Sequence, residues 1–152
     1  LGGANGNLKH FIPNSLSVDI DNTKKPDVYD NILTHVGDYD LIVIRYVLHY
    51  LTNAQRIELF KHIASYHKGQ ILVIQFTNDG GEMDLKIQNS INETKYFLTE
   101  SNLVDLFNDF NVISHKKNTY TVTQEFYKNR LKINNATEHL ETCHALLLEP
   151  TT

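Results

Sequence analysis

Glycines crowd the first stretch of the chain, Leu1-Gly2-Gly3-Ala4-Asn5-Gly6-Asn7-Leu8, and an apolar run ending in acids follows it, Leu16-Ser17-Val18-Asp19-Ile20-Asp21. Glycines packed this densely let the backbone bend sharply and come close to a bound molecule, while an acid that ends the next strand can accept hydrogen bonds from a ribose diol. The two together read as a ligand-binding turn, although a glycine cluster alone is equally a plain turn and a lone Asp19 equally a strand-end cap. His139, Glu141 and His144 lie close together near the other end and invite a metal reading. On a strand the first two share a face and the third does not, so no metal site is expected. Cys143 is the sole cysteine, which excludes an internal disulfide and a cysteine-built zinc site. A reducing setting, the cytoplasm, is the default.

The elements that must position these residues belong to one domain, since 152 residues suffice for a single core. A hydrophobic share of 41% with 21% charged residues is ordinary for a globular protein and argues against global disorder. The formal net charge of -4 argues against a broad nucleic-acid surface, which needs a Lys/Arg excess, though a local basic groove stays open. No apolar run approaches the roughly 18 to 20 residues of a membrane span.

After the glycine turn, Asn7 to Phe11 predicts a short helix stopping near Pro13, and Ser15 to Ile20 predicts a strand. Residues Asp21 to Pro26 are turn material, and Pro26 to Leu33 reads as a brief extended segment. Leu41-Ile42-Val43-Ile44 is a continuous β-branched run, the pattern of a central strand buried on both faces. Asn53 to His67 carries Ala54, Ile57, Phe60, Ile63 and Ala64 at helical spacing with Arg56, Glu58 and Lys61 between them, and Gly69 ends that helix. Ile71 to Phe76 is a second buried strand. Strand, helix, strand with right-handed crossover predicts a parallel pair, hence an α/β layered sheet. Residues 77–96 lose the apolar pattern and read as an insertion or lid. Thr99 and Glu100 open a helix with Leu103, Val104, Leu106, Phe107 and Phe110 on its apolar side. Val112 to His115, Thr119 to Tyr127 and His144 to Leu148 predict an antiparallel edge. Tyr120, Phe126 and Tyr127 fit sheet packing, with Lys128 and Arg130 beside them able to meet a substrate.

Four features in order resemble a class I S-adenosylmethionine-dependent methyltransferase. These are the Leu-Gly-Gly-Ala-Asn-Gly turn, the Val-Asp-Ile-Asp strand end, the segment from Asp40 through Arg45, Tyr46 and His49 to Leu51, and the helix leading through Lys68-Gly69 into Ile71 to Ile74. The resemblance spans most of Leu1 to Phe76. It implies a Rossmann-like, mostly parallel sheet flanked by helices, with an antiparallel C-terminal edge, and S-adenosyl-L-methionine as cofactor. It also implies a strand ahead of the glycine turn, so that the chain as written is expected to be N-terminally incomplete, and a reduced helix layer between Asp19 and Asp40.

The resemblance assigns Gly2, Gly3 and Gly6 to the turn beside the methionine part of the cofactor, with Ala4 standing where many relatives carry another glycine. Asp19, followed by Ile20, would hold the ribose hydroxyls. Asn31 would lie near the adenine with Ile32 against its face, and Asp30 is the competing assignment. Arg45 would face cofactor or acceptor, Tyr46 and His49 would shape the methyl-transfer mouth, and His49 is the best-placed base. Methyl transfer from sulfonium is an in-line displacement, so positioning and electrostatics provide most of the catalysis and a base is needed only when the acceptor must lose a proton. Plainer readings stand beside these: His49 as a partly buried histidine at a helix entrance, and Arg45 as an ion-pair partner of Asp38 or Asp40. The expected activity is methyl transfer to a small molecule, with nucleic acid or protein acceptors open through residues 77–96. The alternatives are a non-catalytic binding or scaffold module on the same fold and, less favoured, a nucleotide-cofactor oxidoreductase.

Overall fold

The computed structural model describes residues 1, 12–78, 86–88, 94–130 and 139–151, and for residues 86–88, 127, 130 and 139 the backbone alone. The expected helix from Asn7 to Phe11 and the glycines at 2, 3 and 6 lie outside the described residues, as does most of the 77–96 segment.

Two short parallel strands come first, β1 (Val18–Asp19) and β2 (Val28–Tyr29), separated by a 3-10 turn at Asn22–Lys24. The strand expected over Ser15 to Ile20 is thus only two residues long. Its flank is occupied by a side-chain clamp: the Asp27 carboxylate accepts from the Ser17 N–H at 2.8 Å and from its hydroxyl at 3.1 Å, while the Asp27 N–H donates to Ser17 Oγ at 2.9 Å. Side chains here take the place of further ladder bonds.

β3 (Leu41–Arg45), α1 (Asn53–Tyr66) and β4 (Gln70–Thr77) follow as read from the sequence, and β3 and β4 pair in parallel with Ile42 opposite Ile71. α1 is held at its start by a capping box in which the Thr52 side chain accepts from the Gln55 N–H and the Gln55 side chain accepts from the Thr52 N–H. Gly69 has a different task from the helix stop expected of it. The helix already ends at Tyr66, whereas a Cβ on Gly69 would lie 2.2 Å from the Asp40 carbonyl oxygen, so glycine is what lets β4 start against β3.

β5 (Lys86–Gln88) and β6 (Thr94–Tyr96) form an antiparallel pair within the segment expected as an insertion. α2 (Glu100–Asp105), capped by Thr99 and Asn102, is shorter than its apolar spacing suggested, and Phe110 opens β7 (Phe110–Val122) instead of closing the helix. α3 (Gln124–Arg130) replaces the last part of the strand expected over Thr119 to Tyr127, with the Thr123 hydroxyl accepting from the Phe126 N–H at its start. Phe126 is exposed on it, not packed in the sheet. β8 (His139–Pro150) then runs antiparallel between β4 and β7, giving the order β3-β4-β8-β7. The α/β sheet with an antiparallel C-terminal edge is therefore present, as a mixed four-stranded sheet plus the separate β1-β2 pair. Leu1 lies between them: its nitrogen donates to the Val43 carbonyl at 2.7 Å.

One face of the sheet carries Ile42, Ile44, Ile71, Val73, Leu146 and Leu148 into a core shared with Leu59, Phe60 and Ile63 of α1 and with Leu103 and Phe107. β3 is not buried on both faces, since Leu41 is exposed and Val43 only partly covered. The stripe of α1 is also turned by one position: Leu59 is buried where Ile57 was expected, and Arg56 is 3% exposed. Arg56 tolerates burial because its Nε donates to the Leu48 carbonyl at 2.8 Å and its Nη2 to the Tyr96 carbonyl.

The Gly69→Ala substitution is expected to destabilise the fold by about 1–3 kcal/mol through overpacking against Asp40. Thr52→Ala should cost about 1 kcal/mol by removing a cap. Urea melts of the two variants check both values.

Candidate active site

The site grows from a backbone irregularity at the end of β3. Tyr46 has φ 55°, the left-handed region, which costs a bulky L-residue roughly 1–2 kcal/mol. Its N–H still donates to the Ile74 carbonyl at 2.9 Å, so the turn away from the sheet begins only after the last ladder bond. The Tyr46 ring stands half-exposed, 6.2 Å from the Phe76 ring, with its hydroxyl 3.7 Å from Cys143 Sγ. Arg45 is exposed beside it, its guanidinium carbon 5.9 Å from the Tyr46 ring centroid. Among the described residues no ion pair joins Arg45 to Asp38 or Asp40.

A 3-10 turn at Leu48–Tyr50 continues the segment and buries His49, which is 2% exposed. Its ring lies 4.3 Å from Tyr50 and 4.7 Å from Phe76. The amide of Gln75 organises the turn: its oxygen accepts from the Leu48 N–H at 3.2 Å, and its nitrogen donates to His49 Nδ1 at 3.3 Å and to the Phe76 carbonyl at 3.2 Å. With Nδ1 accepting, the neutral ring carries its proton on Nε2. Burial, and then the nearby cations Lys95 and Arg56, push the His49 pKa down to about 3. Lys95, itself buried, places Nζ 3.7 Å from the centre of the Tyr50 ring. The sequence suggested a histidine at a helix entrance, whereas His49 sits inside the 3-10 turn ahead of α1, beside cations that arrive from α1 and β6.

On the same side of the sheet as Phe76, the register of β8 brings Cys143 opposite Phe76 and Glu141 opposite Tyr120. Glu141 is buried, with Oε2 accepting from the Tyr120 hydroxyl at 2.9 Å and Oε1 from Asn78 Nδ2 at 3.4 Å. Burial, then the Cys143 contact and its charge, raise the Tyr46 phenol to about 12, and burial with the Glu141 charge pushes Tyr120 up as well. Both phenols therefore act as donors near neutral pH. Glu141, Cys143 and Tyr120 carried no active-site expectation. The one signal for them is the period-two alternation of β8, which sets 141 and 143 on one face and His144 on the other.

The remaining assignments sit around β1 and β2. Asp19 ends β1 half-exposed, with Oδ1 accepting from the Asp21 N–H at 2.9 Å, and it lies near the Leu1 nitrogen. Ile20 beside it is exposed. Asn31 is occupied in a turn, its Oδ1 accepting from the Leu33 N–H at 3.0 Å, and Ile32 is packed in the main core. Asp30 is held by His35 Nδ1 at 2.8 Å and the Asn31 N–H at 2.8 Å, which hold its carboxyl below the ordinary range. Gly2, Gly3, Ala4 and Gly6 lie outside the described residues. A shallow groove of about 560 Å³ between Leu33, Thr34 and α1 includes none of the assigned residues.

His49 gives a pH signature. Its folded pKa of about 3 lies below the ordinary 6.5, so the unfolded chain binds the extra proton between those values. Stability from keeping the ring neutral is complete above about pH 6.5 and is lost as pH falls toward 3. In His49→Gln, the slope of unfolding free energy against pH over that window should decrease by close to one proton, read from urea melts at several pH values.

No protein-family model matches the chain, and no curated protein matches it. Solved structures do. A Burkholderia thailandensis 1,6-didemethyltoxoflavin-N1-methyltransferase, crystallised with 1,6-didemethyltoxoflavin and S-adenosylhomocysteine, superposes with TM-score 0.64 and 13% identity, over 99% of this chain and 69% of that one. The PH0226 protein of Pyrococcus horikoshii superposes with TM-score 0.65 at 10% identity, over 99% and 79%. The O-methyltransferase of a Brevibacillus brevis trans-AT PKS multienzyme, in complex with S-adenosyl-L-homocysteine, gives 0.60 at 13%, over 99% and 65%. With the strand order and register above, these likenesses give the chain the fold of the class I S-adenosylmethionine-dependent methyltransferases.

Proposed function

We propose that this chain is an S-adenosylmethionine-dependent methyltransferase acting on a small-molecule acceptor in the cytoplasm. The observation that supports it most is the half-exposed Asp19 at the end of β1, beside the residue that opens the glycine turn, on a methyltransferase fold. The residues fit the cofactor chemically: a strand-end carboxylate suits vicinal hydroxyls, and exposed Ile20 next to it suits an apolar ring edge. Gly2, Gly3, Ala4 and Gly6 would form the turn around the amino-acid portion. Asn31 and Ile32, engaged in their own turn and in the core, would form the backing of the adenine site. Bound S-adenosylmethionine supplies an electrophilic methyl group on sulfonium.

The chain's own work is orientation and proton handling at the end of β3. Tyr46 would donate its hydroxyl to the acceptor, Arg45 would attract an anionic one, and the His49 ring would wall the mouth with Phe76 and Tyr50. A histidine held near pKa 3 accepts a proton poorly, so where the acceptor must lose one, Glu141 is the group of suitable charge. Among the described residues no helix is long and apolar enough to cross a membrane. A small acceptor also accords with the 1,6-didemethyltoxoflavin held by the Burkholderia enzyme.

Titration calorimetry with S-adenosylmethionine and S-adenosylhomocysteine should show binding of both, and Asp19→Ala should weaken it by about 1–3 kcal/mol. A folded chain that binds neither leaves the scaffold reading standing and ends this one. Glu141→Gln should lower kcat while leaving the affinity for S-adenosylhomocysteine little changed, measured once an acceptor supports turnover.

A further inference from the structure

Where the core-facing side of the sheet meets α2, a second polar cluster lies away from Tyr46 and Glu141. β7 and β8 pair with His115 opposite Leu146 and Lys117 opposite His144, which puts His115, Lys117 and His144 on the face that carries Leu146 and Leu148. Glu100, the first residue of α2, reaches the same place and forms an ion pair with Lys117. His144 is fully buried and His115 half-buried. His115 Nε2 stands 2.9 Å from His144 Nδ1, and His144 Nε2 stands 2.8 Å from Thr77 Oγ1. One ligand atom from each of Glu100, His115 and His144 falls within 4.8 Å of the others.

We propose that Glu100, His115 and His144 form a binding site for a divalent transition-metal ion of the zinc class. Two imidazole nitrogens at 2.9 Å share a single proton when no ion is present. An ion with Zn–N bonds of about 2.0–2.1 Å takes the place of that proton, needing a nitrogen separation of only about 3.3 Å in a tetrahedron. The displaced proton is released, or moves to an outer ring nitrogen. His144 is already oriented for this, because Thr77 Oγ1 fixes its outer nitrogen, the arrangement by which outer partners set the tautomer of metal-bound histidines. The carboxylate must move inward by roughly 1–1.5 Å, which a half-buried side chain in the first turn of a helix allows. Two imidazoles and one carboxylate favour zinc, cobalt or nickel over magnesium or calcium, and water completes the coordination. Lys117 competes for Glu100 and tunes the affinity downward. The ion would tie the start of α2 to β7 and β8 and is independent of the methyltransferase reading.

The test uses the whole chain, stripped with chelator and titrated with Co(II) and Zn(II), followed by visible absorption and by melting temperature. One Co(II) per chain is expected, with d–d bands and no thiolate charge-transfer band, and a higher melting temperature. His115→Ala and Glu100→Gln should each weaken uptake roughly tenfold or more. Lys117→Met should tighten it roughly threefold. Absence of uptake, a thiolate band pointing to Cys143, or affinity unchanged in both His115→Ala and Glu100→Gln overturns the site. Glu100→Gln, at a half-buried helix start, keeps the test decisive if His115→Ala fails to fold.

Discussion

A buried amide at the end of β4 holds the candidate active site together. Gln75 has no access to water, so every polar atom of its side chain must be paired inside the protein or cost the fold a desolvated group. It is paired, to the Leu48 N–H, to His49 Nδ1 and to the Phe76 carbonyl. Those bonds fix the 3-10 turn after β3 relative to β4, and with it the tautomer of His49. The left-handed backbone of Tyr46 is the other half of the same constraint. A chain leaving β3 must turn at once to bring Leu48 under Gln75, and the ladder bond from Tyr46 to Ile74 leaves one residue in which to do it.

The four-stranded sheet separates two chemistries by the alternation of side chains along its strands. On one face the apolar stripe through Val73, Leu146 and Leu148 runs into His144, Thr77 and His115. On the other, Phe76, Cys143, Glu141 and Tyr120 meet Tyr46. β8 supplies both, since successive residues such as Cys143 and His144 point to opposite sides. Buried polar groups gather toward the end of β4 because there the apolar stripe gives way to Gln75 and Thr77. Gln75, Thr77 and His144 are each satisfied by a neighbouring strand or turn, as burial requires.

Much of the fold was legible. The β-branched run at Leu41 to Ile44, the Thr99 cap and the apolar run at Ile71 to Phe76 put strands and a helix start in their right places, because each signal acts over a few residues, whereas the cap of α1 is Thr52 and not the Asn53 that its sequence suggests. Failures came where a distant partner decided. Arg56 reads as a solvent-facing charge until the carbonyls of Leu48 and Tyr96 are brought to it, and with it buried the stripe of α1 turns toward Leu59. Val18–Asp19 shrank to a two-residue strand because Asp27 claims Ser17, and Phe110 left α2 for β7 because β8 offered it a ladder. The candidate site divided in the same way: the family resemblance pointed to Asp19, Arg45, Tyr46 and His49, whereas Glu141 and Cys143 come near Tyr46 only through the register of β8.

By itself the sequence determined the α/β class, the order of the principal strands and helices and the acid that ends β1. These rest on local periodicity, capping and turn chemistry, which the nearest ten or so residues specify. Only the tertiary structure decided that His49 is buried against Tyr50 and Phe76 with Lys95 and Arg56 nearby, and that Glu141 lies beside Tyr120. It also paired His144 with His115 and brought Glu100 close to both. Protonation, burial and ligand geometry depend on which groups are brought within a few ångströms across the sheet, and that is set by strand register and helix docking between residues far apart in the chain.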